Sequence, residues 1–282
     1  MSVKIICDSA SDISLEQAKE WGVTVLPLKT IWEGKEYLDG VTMEPHEFYE
    51  RLIETDELPT TSQVTPYEFQ EAFKQVIEEK NTAVCLTVSS KLSGTYQSAL
   101  IANEEVDYQI ELVDTLNVTL GEHILLKRAV ELRDQGKSAK EIAQILNEEK
   151  NKVRVIALLD TLEYLKKGGR VSGTAALAGS VLNIKPVVGV VDGQVEVLGK
   201  ARGSKNGNNK LMEQISLSGG VDFEKPFVLG YSGLSDDLLQ KYIVDSSHIY
   251  EEKTKELPIV PIGSSIGTHA GPGAIGVAFF CK

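Results

Sequence analysis

The chain has few of the residues that announce a chemistry. It holds three cysteines, Cys7, Cys85 and Cys281. They are too widely spaced for a CxxC pair or a Cys/His zinc pattern. A disulfide scaffold and a cysteine metal site are therefore excluded. The three read as small hydrophobes in strands of a reducing compartment. No apolar run reaches the ~18 residues of a membrane span. There is no G-x-x-x-x-G-K-[ST] phosphate loop and no G-x-S-x-G hydrolase elbow. No carboxylate/histidine pattern suggests a metal. Positive charge is short as well: 29 Lys and Arg stand against 41 Asp and Glu, a net charge of −12. That excludes a general nucleic-acid binder, which would carry a basic excess. The first residues, "MSVKIICDS", run straight into a strand with no signal peptide, which reads as a soluble cytoplasmic protein.

What is present is strongly patterned. Hydrophobic residues make up 42%, enough for a sizeable core and well outside the disordered class. In the first half, "VKIICDS", "VTVLPLKTIW", "TAVCLTVSS" and "YQIELVDT" read as strands. Helical stretches separate and follow them. In "TPYEFQEAFKQVIEEK", Thr65 and Glu68 form a capping box, Pro66 takes the first helical position, and Phe69, Ala72, Phe73, Val76 and Ile77 share one apolar face. Ser138 and Glu141 form a second capping box. Strands divided by helices predict βα units and a parallel sheet. The second half differs. "KPVVGVVDGQVEVLGKAR" reads as a hairpin about Asp192-Gly193, and further strands follow in "PFVLGYSG" and "GAIGVAFF". The expected fold is α/β, with a mostly parallel sheet flanked by helices in an N-terminal domain, residues 1–151. A smaller α+β domain with antiparallel pairing, residues 152–282, completes it.

Three polar loops stand out. The first is "TVSSKLSGTYQSA", residues 87–99, where Ser89, Ser90, Ser93 and Thr95 crowd a strand-to-helix turn. Such a turn exposes unpaired N–H groups that attract an anion. Ser93 can cap the helix or face a ligand. The second is "PTTSQVTP", with Thr60, Thr61, Ser62 and Gln63, either a polar loop or a second set of donors. The third is "GSSIGTHAGPGAIG", which contains a formal G-x-G-x-x-G but holds Pro272 and leads into a strand, so it is no dinucleotide loop. Its glycines read as sharp bends and close approaches, with His269 in the loop. Asp8 and Asp12 lie at a strand end, where capping explains them.

Charge is uneven. Residues 150–210 hold 11 basic and 4 acidic side chains. Lys166, Lys167, Arg170, Lys200, Arg202 and Lys205 supply most of that excess, either as solvated surface or as a docking face for an acidic or phosphate-bearing partner.

Taken together, "DSASD", "TTSQ", "SSKLSGTYQSA", "GGRVSG" and "GTHAGPGAIG" resemble the DegV family, which includes the fatty-acid-binding subunits of the bacterial fatty acid kinase. The matches run from Asp8 to Gly276. The resemblance implies a tunnel between the two domains that holds a long-chain fatty acid. It places Thr61, Ser62, Ser93 and His269 at the carboxylate. It further implies a subunit without catalysis or cofactor of its own, which presents the carboxylate to a separate kinase catalytic subunit for acyl-phosphate formation. Arg170 and Arg202 would help to dock that kinase, and contact with membrane-associated acyl-transfer enzymes would be transient. "GTAALAGSVLN" is a candidate tunnel wall, and a buried core helix explains it equally well. The alternative from another class is a hydrolase or acyltransferase using Ser93 with His269, for which no third orienting group is evident.

Overall fold

A computed structural model describes residues 2–55, 57–171, 184–250 and 256–282. The chain opens with β1 (Val3–Asp8), α1 (Leu15–Trp21) and β2 (Val23–Leu26). Next come β3 (Lys29–Trp32), β4 (Lys35–Leu38), α2 (Pro45–Glu54) and β5 (Thr60–Ser62). Then follow α3 (Pro66–Glu78), β6 (Thr82–Thr87), α4 (Thr95–Glu104), β7 (Ile110–Asp114), α5 (Leu120–Asp134) and α6 (Ala139–Glu149). Strands β2-β1-β6-β7 pair in that order, all parallel. β1 and β6 are buried along most of their length, as strands covered on both faces must be. One face packs against α3 and α4 through Phe69, Phe73, Ala99 and Ala102. The opposite face packs against α5 and α6 through Ile124, Leu125, Ile142 and Leu146. Both capping boxes form as the sequence predicts.

The second half contains β8 (Val153–Leu158), α7 (Glu163–Lys167), β9 (Ile184–Val191), β10 (Gln194–Arg202) and α8 (Gly203–Leu217). It continues with β11 (Phe227–Tyr231), α9 (Asp237–Asp245), α10 (Ser247–Tyr250), β12 (Ile259–Pro261), α11 (Ser264–Ala270) and β13 (Ile275–Phe280). Its six strands lie in the order β10-β9-β8-β13-β11-β12, antiparallel except for the β11–β12 pair. Asp192 and Gly193 both have positive φ, 48° and 82°, which is the hairpin turn expected at that dipeptide. The fold is thus an α/β chain with a parallel sheet first and a smaller part built on a mixed, mainly antiparallel sheet second. Among the described residues no helix is long and apolar enough to cross a membrane.

Two features depart from the sequence reading. "PTTSQVTP" is not only a loop: Thr60–Ser62 pair with β3 in a small antiparallel sheet, β4-β3-β5, that sits apart from the large sheets. Three residues are too few to show a period of two. "GSSIGTHA" is not only a bend: residues 264–270 form α11, and His269 lies in its last turn. Gly267 lies inside that helix because a Cβ there would stand 2.5 Å from Tyr49 Oη. The bend comes afterwards, at Gly271, where φ is 72°.

Helix α5 is the shared wall between the sheets. Its first residue, Leu120, is 2% exposed. Gly230 of β11 and Gly276 of β13 are register partners. They form a notch that Leu120 fills, its methyls 2.6 and 3.1 Å from where their Cβ atoms would stand. Leu120→Ala should therefore leave a cavity on the second sheet and cost about 2–5 kcal/mol of stability. Urea unfolding measures this; a loss well under 1 kcal/mol would show that the notch collapses freely.

Candidate functional site

Buried carboxylates organise the region where the sheets meet. Asp8, at the end of β1, accepts from the N–H of Ala10 at 2.9 Å and from that of Val88 at 2.8 Å. Asp12 accepts from the N–H of Gly263 at 2.8 Å and from the Thr119 hydroxyl at 2.5 Å. Asp39 accepts from the N–H and hydroxyl of Ser264, both at 2.8 Å, from the N–H of Ser265 at 3.3 Å, and from the Ser9 hydroxyl at 2.8 Å. Capping explains only part of this. Asp8 does cap the 3-10 turn Ser9–Ser11, but its second oxygen ties β1 to the turn after β6. Thr119 is β-branched yet has φ 52°, a strained conformation. Its hydroxyl bond to Asp12 and its N–H bond to the Ala10 carbonyl at 2.8 Å hold it there.

Burial is the main force on these acids. It raises Asp8 to about 7, against the pull of the Val88 and Ala10 N–H groups, and Asp12 to about 8, against the Thr119 hydroxyl and the Gly263 N–H. Asp39 is raised for the same reason. Glu122, fully buried on α5, is pushed well up, first by burial and then by the Asp8 charge. Both of its carboxyl oxygens are buried without a hydrogen-bond partner among the described residues.

Above this platform lies a cavity of about 410 Å³. That is within the ~300–1,000 Å³ of small-molecule sites. Its lining is largely aliphatic, with Ala10, Leu28, Val88 and Val118 from the segments that follow strands of the parallel sheet, and Val155 and Val188 from β8 and β9 of the second sheet. Thr61, Ser62, Ser93 and His269 all line it, so residues from three distant segments meet at one cavity. His269 Nε2 lies 2.9 Å from Thr61 Oγ1. Burial, and then the Arg170 charge, lower His269 to about 4, so its imidazole is neutral at pH 7. Its Nδ1 is buried without a hydrogen-bond partner among the described residues. It packs on Gly168, where a Cβ would stand 2.1 Å from it. Ser93 Oγ is 2.9 Å from Thr95 Oγ1 and accepts from the Thr95 N–H at 3.2 Å.

The two arginines separate. Arg170 lines the cavity at its exposed edge and donates to the carbonyls of Leu92, at 3.3 Å, and Gly168, at 2.6 Å. Arg202 is exposed at the far end of β10 and does not line the cavity. Val171 bridges to Val195 near the start of that strand. Seven further residues at ~3.4 Å put Arg202 roughly 24 Å along it. "GTAALAGSVLN", residues 173–183, lies outside the described residues. Of the turn hydroxyls, Ser89 does more than shape the turn: it donates to the Gly193 carbonyl at 2.7 Å, joining the turn to the β9–β10 hairpin. Asp39, Gly168 and Ser265 were not singled out from the sequence. Asp39 sits in "YLDG", which reads as an ordinary turn. Among the described residues no three His, Cys, Asp or Glu side chains gather as a metal site requires.

The model of the DegV family matches residues 2–282. A DegV domain-containing protein of Caldanaerobacter subterraneus subsp. tengcongensis is 36% identical, over 98% of each chain. Among solved structures, a DegV family protein of Thermus thermophilus, described by its fatty acid binding, superposes with a TM-score of 0.88 at 31% identity over 100% of both chains. A DegV lipid-binding protein of Thermotoga maritima superposes with a TM-score of 0.84 at 29% identity, over 99% of this chain and 98% of that one.

The shifted acids set a pH dependence. Asp8 and Asp12 titrate higher in the fold than in the unfolded chain, so the fold keeps protons that the unfolded chain releases. Stability from these groups is therefore lost as pH rises toward about 8. His123 and His269, both lowered from 6.5 to about 4, act in the opposite sense and at lower pH. Their contribution is full above 6.5 and is lost as pH falls through 4. Between pH 6.5 and 8 the carboxyls dominate, and unfolding free energy should fall with rising pH, on the order of 1 kcal/mol per pH unit. Asp12→Asn should flatten that slope in denaturant titrations. Equal slopes in wild type and variant would remove Asp12 as its source.

Proposed function

The chain belongs to the DegV family, and we propose that it is a non-catalytic carrier of a long-chain fatty acid that presents the carboxylate to a separate kinase for acyl-phosphate formation. The observation that carries this reading is the shape of the cavity's chemistry. One region is aliphatic, and at another a neutral histidine and hydroxyls from three segments converge. The fatty-acid and lipid binding of the Thermus and Thermotoga proteins supports the same ligand class.

The polar groups suit a carboxylate. A neutral His269 that donates Nε2–H to Thr61 Oγ1 leaves the Thr61 proton free for a ligand oxygen. Ser93 Oγ can accept from both Thr95 groups and donate its own proton the same way. Ser62 lies beside them on β5, with no side-chain hydrogen bond among the described residues. An arriving carboxylate would favour the charged imidazole and so strengthen the Thr61 clamp. Affinity then comes from the tail. About fifteen buried methylenes at ~0.8 kcal/mol each give on the order of 12 kcal/mol before ordering costs. Each head-group bond adds about 1.5–3 kcal/mol. The hydroxyls fix position, and phosphoryl transfer depends on position.

The hydrolase alternative fares worse. Ser93 pairs with Thr95, and His269 faces Thr61 and Gly168, so no base reaches the Ser93 hydroxyl among the described hydrogen bonds. A carrier of this kind works in the cytoplasm beside its kinase, with transient delivery to membrane-associated acyl-transfer enzymes. Arg170 at the cavity edge and Arg202 on the exposed strand end are the docking candidates.

Protein produced in bacteria should yield a long-chain fatty acid on solvent extraction and mass spectrometry. Native spectra of apo protein alone, with no uptake of added palmitate, would sink the carrier reading. For docking, Arg202 is the cleaner probe because it lies off the cavity. Arg202→Ala should keep palmitate binding and lower acyl-phosphate production by the kinase several-fold. Full production with Arg202→Ala would remove that residue from the docking face.

A further inference from the structure

Helix α11 carries three hydroxyls besides His269, and two of them are satisfied. Ser264 donates to Asp39 at 2.8 Å. Thr268 donates back to the Ser264 carbonyl at 2.8 Å. Ser265 is different. It is 2% exposed, it lines the cavity, and its Oγ has no hydrogen-bond partner among the described residues. Its N–H bond to Asp39 belongs to the backbone and would survive any side chain. Packing does not ask for the oxygen, since alanine would fit the same space. A buried hydroxyl without a partner is unfavourable, and its place in an otherwise aliphatic wall points to a partner that enters with the ligand. Thr119, the neighbouring hydroxyl on that wall, is already committed to Asp12.

Ser265 and His269 are four residues apart on one helix and so share a face, about 6 Å apart along the axis. Burial deepens from exposed Arg170 through half-buried His269 to Ser265. An acyl chain whose carboxylate sits at Thr61 and His269 would pass Ser265 within its first few carbons. We propose that Ser265 is a polar subsite for an oxygen function near the head of the acyl chain, so that the tunnel takes β-hydroxy fatty acids. The proposal rests on the fatty-acid reading of the cavity and adds a substrate class to it.

The test compares palmitate, both enantiomers of β-hydroxypalmitate, and ω-hydroxypalmitate on delipidated full-length protein by calorimetry. Wild type should bind one β-hydroxy enantiomer at least as tightly as palmitate, and ω-hydroxypalmitate more weakly. In Ser265→Ala the ratio of the β-hydroxypalmitate Kd to the palmitate Kd should rise about three- to tenfold. An unchanged ratio overturns the subsite. So does a wild type that binds both enantiomers tenfold more weakly than palmitate, a result that needs no variant to fold. If wild type binds none of the acids, the carrier reading itself fails. If palmitate binds while either of those two results is seen, the carrier stands and only the subsite is removed.

Discussion

The polar end of the cavity hangs from three buried carboxylates that accept backbone N–H groups. Burying a carboxylate is costly unless donors surround it. Here the donors come from separate places: the turn after β6, the loop before α5, and the first turn of α11. Satisfying each acid therefore fixes the position of a loop. Helix α11 has only seven residues, too few to hold itself together. Asp12 and Asp39 supply the partners that the start of α11 lacks, and the orientation of His269 follows from theirs.

The same economy of charge continues into the cavity. Among the described residues no lysine lines it, and one arginine, Arg170, stands at the edge. The inner polar groups are hydroxyls, amide and a neutral imidazole. Hydroxyls and an imidazole can orient a polar head group by hydrogen bonds, while the aliphatic wall offers apolar contact.

The large elements were legible because their signals are local. Both capping boxes and the Asp192-Gly193 hairpin depend on residues a few positions apart. What escaped was set by distant partners. Thr60–Ser62 become a strand only by pairing with β3. Residues 264–270 become a helix only with Asp39 and Asp12 at one end and Tyr49 beside Gly267. The gathering of Thr61, Ser62, Ser93 and His269 was read from motif resemblance, because nothing in their spacing shows it. Asp8 and Asp12 looked like caps because one of the bonds Asp8 makes is a cap. Their longer bonds have no trace in the local pattern.

The hydrogen bond from Gly263 to Asp12 spans 251 residues. It joins a group in the segment after β1 to one just before α11. Until residues 263–269 leave the ribosome, Asp12 and Asp39 lack their backbone N–H donors, and His269 is absent. A nascent chain can assemble its parallel sheet early, but that sheet must wait with its acids open to water. Loop closure over such a separation is slow. A complete cavity lining thus waits on α11, and a product truncated before it would fold in part without ever acquiring one.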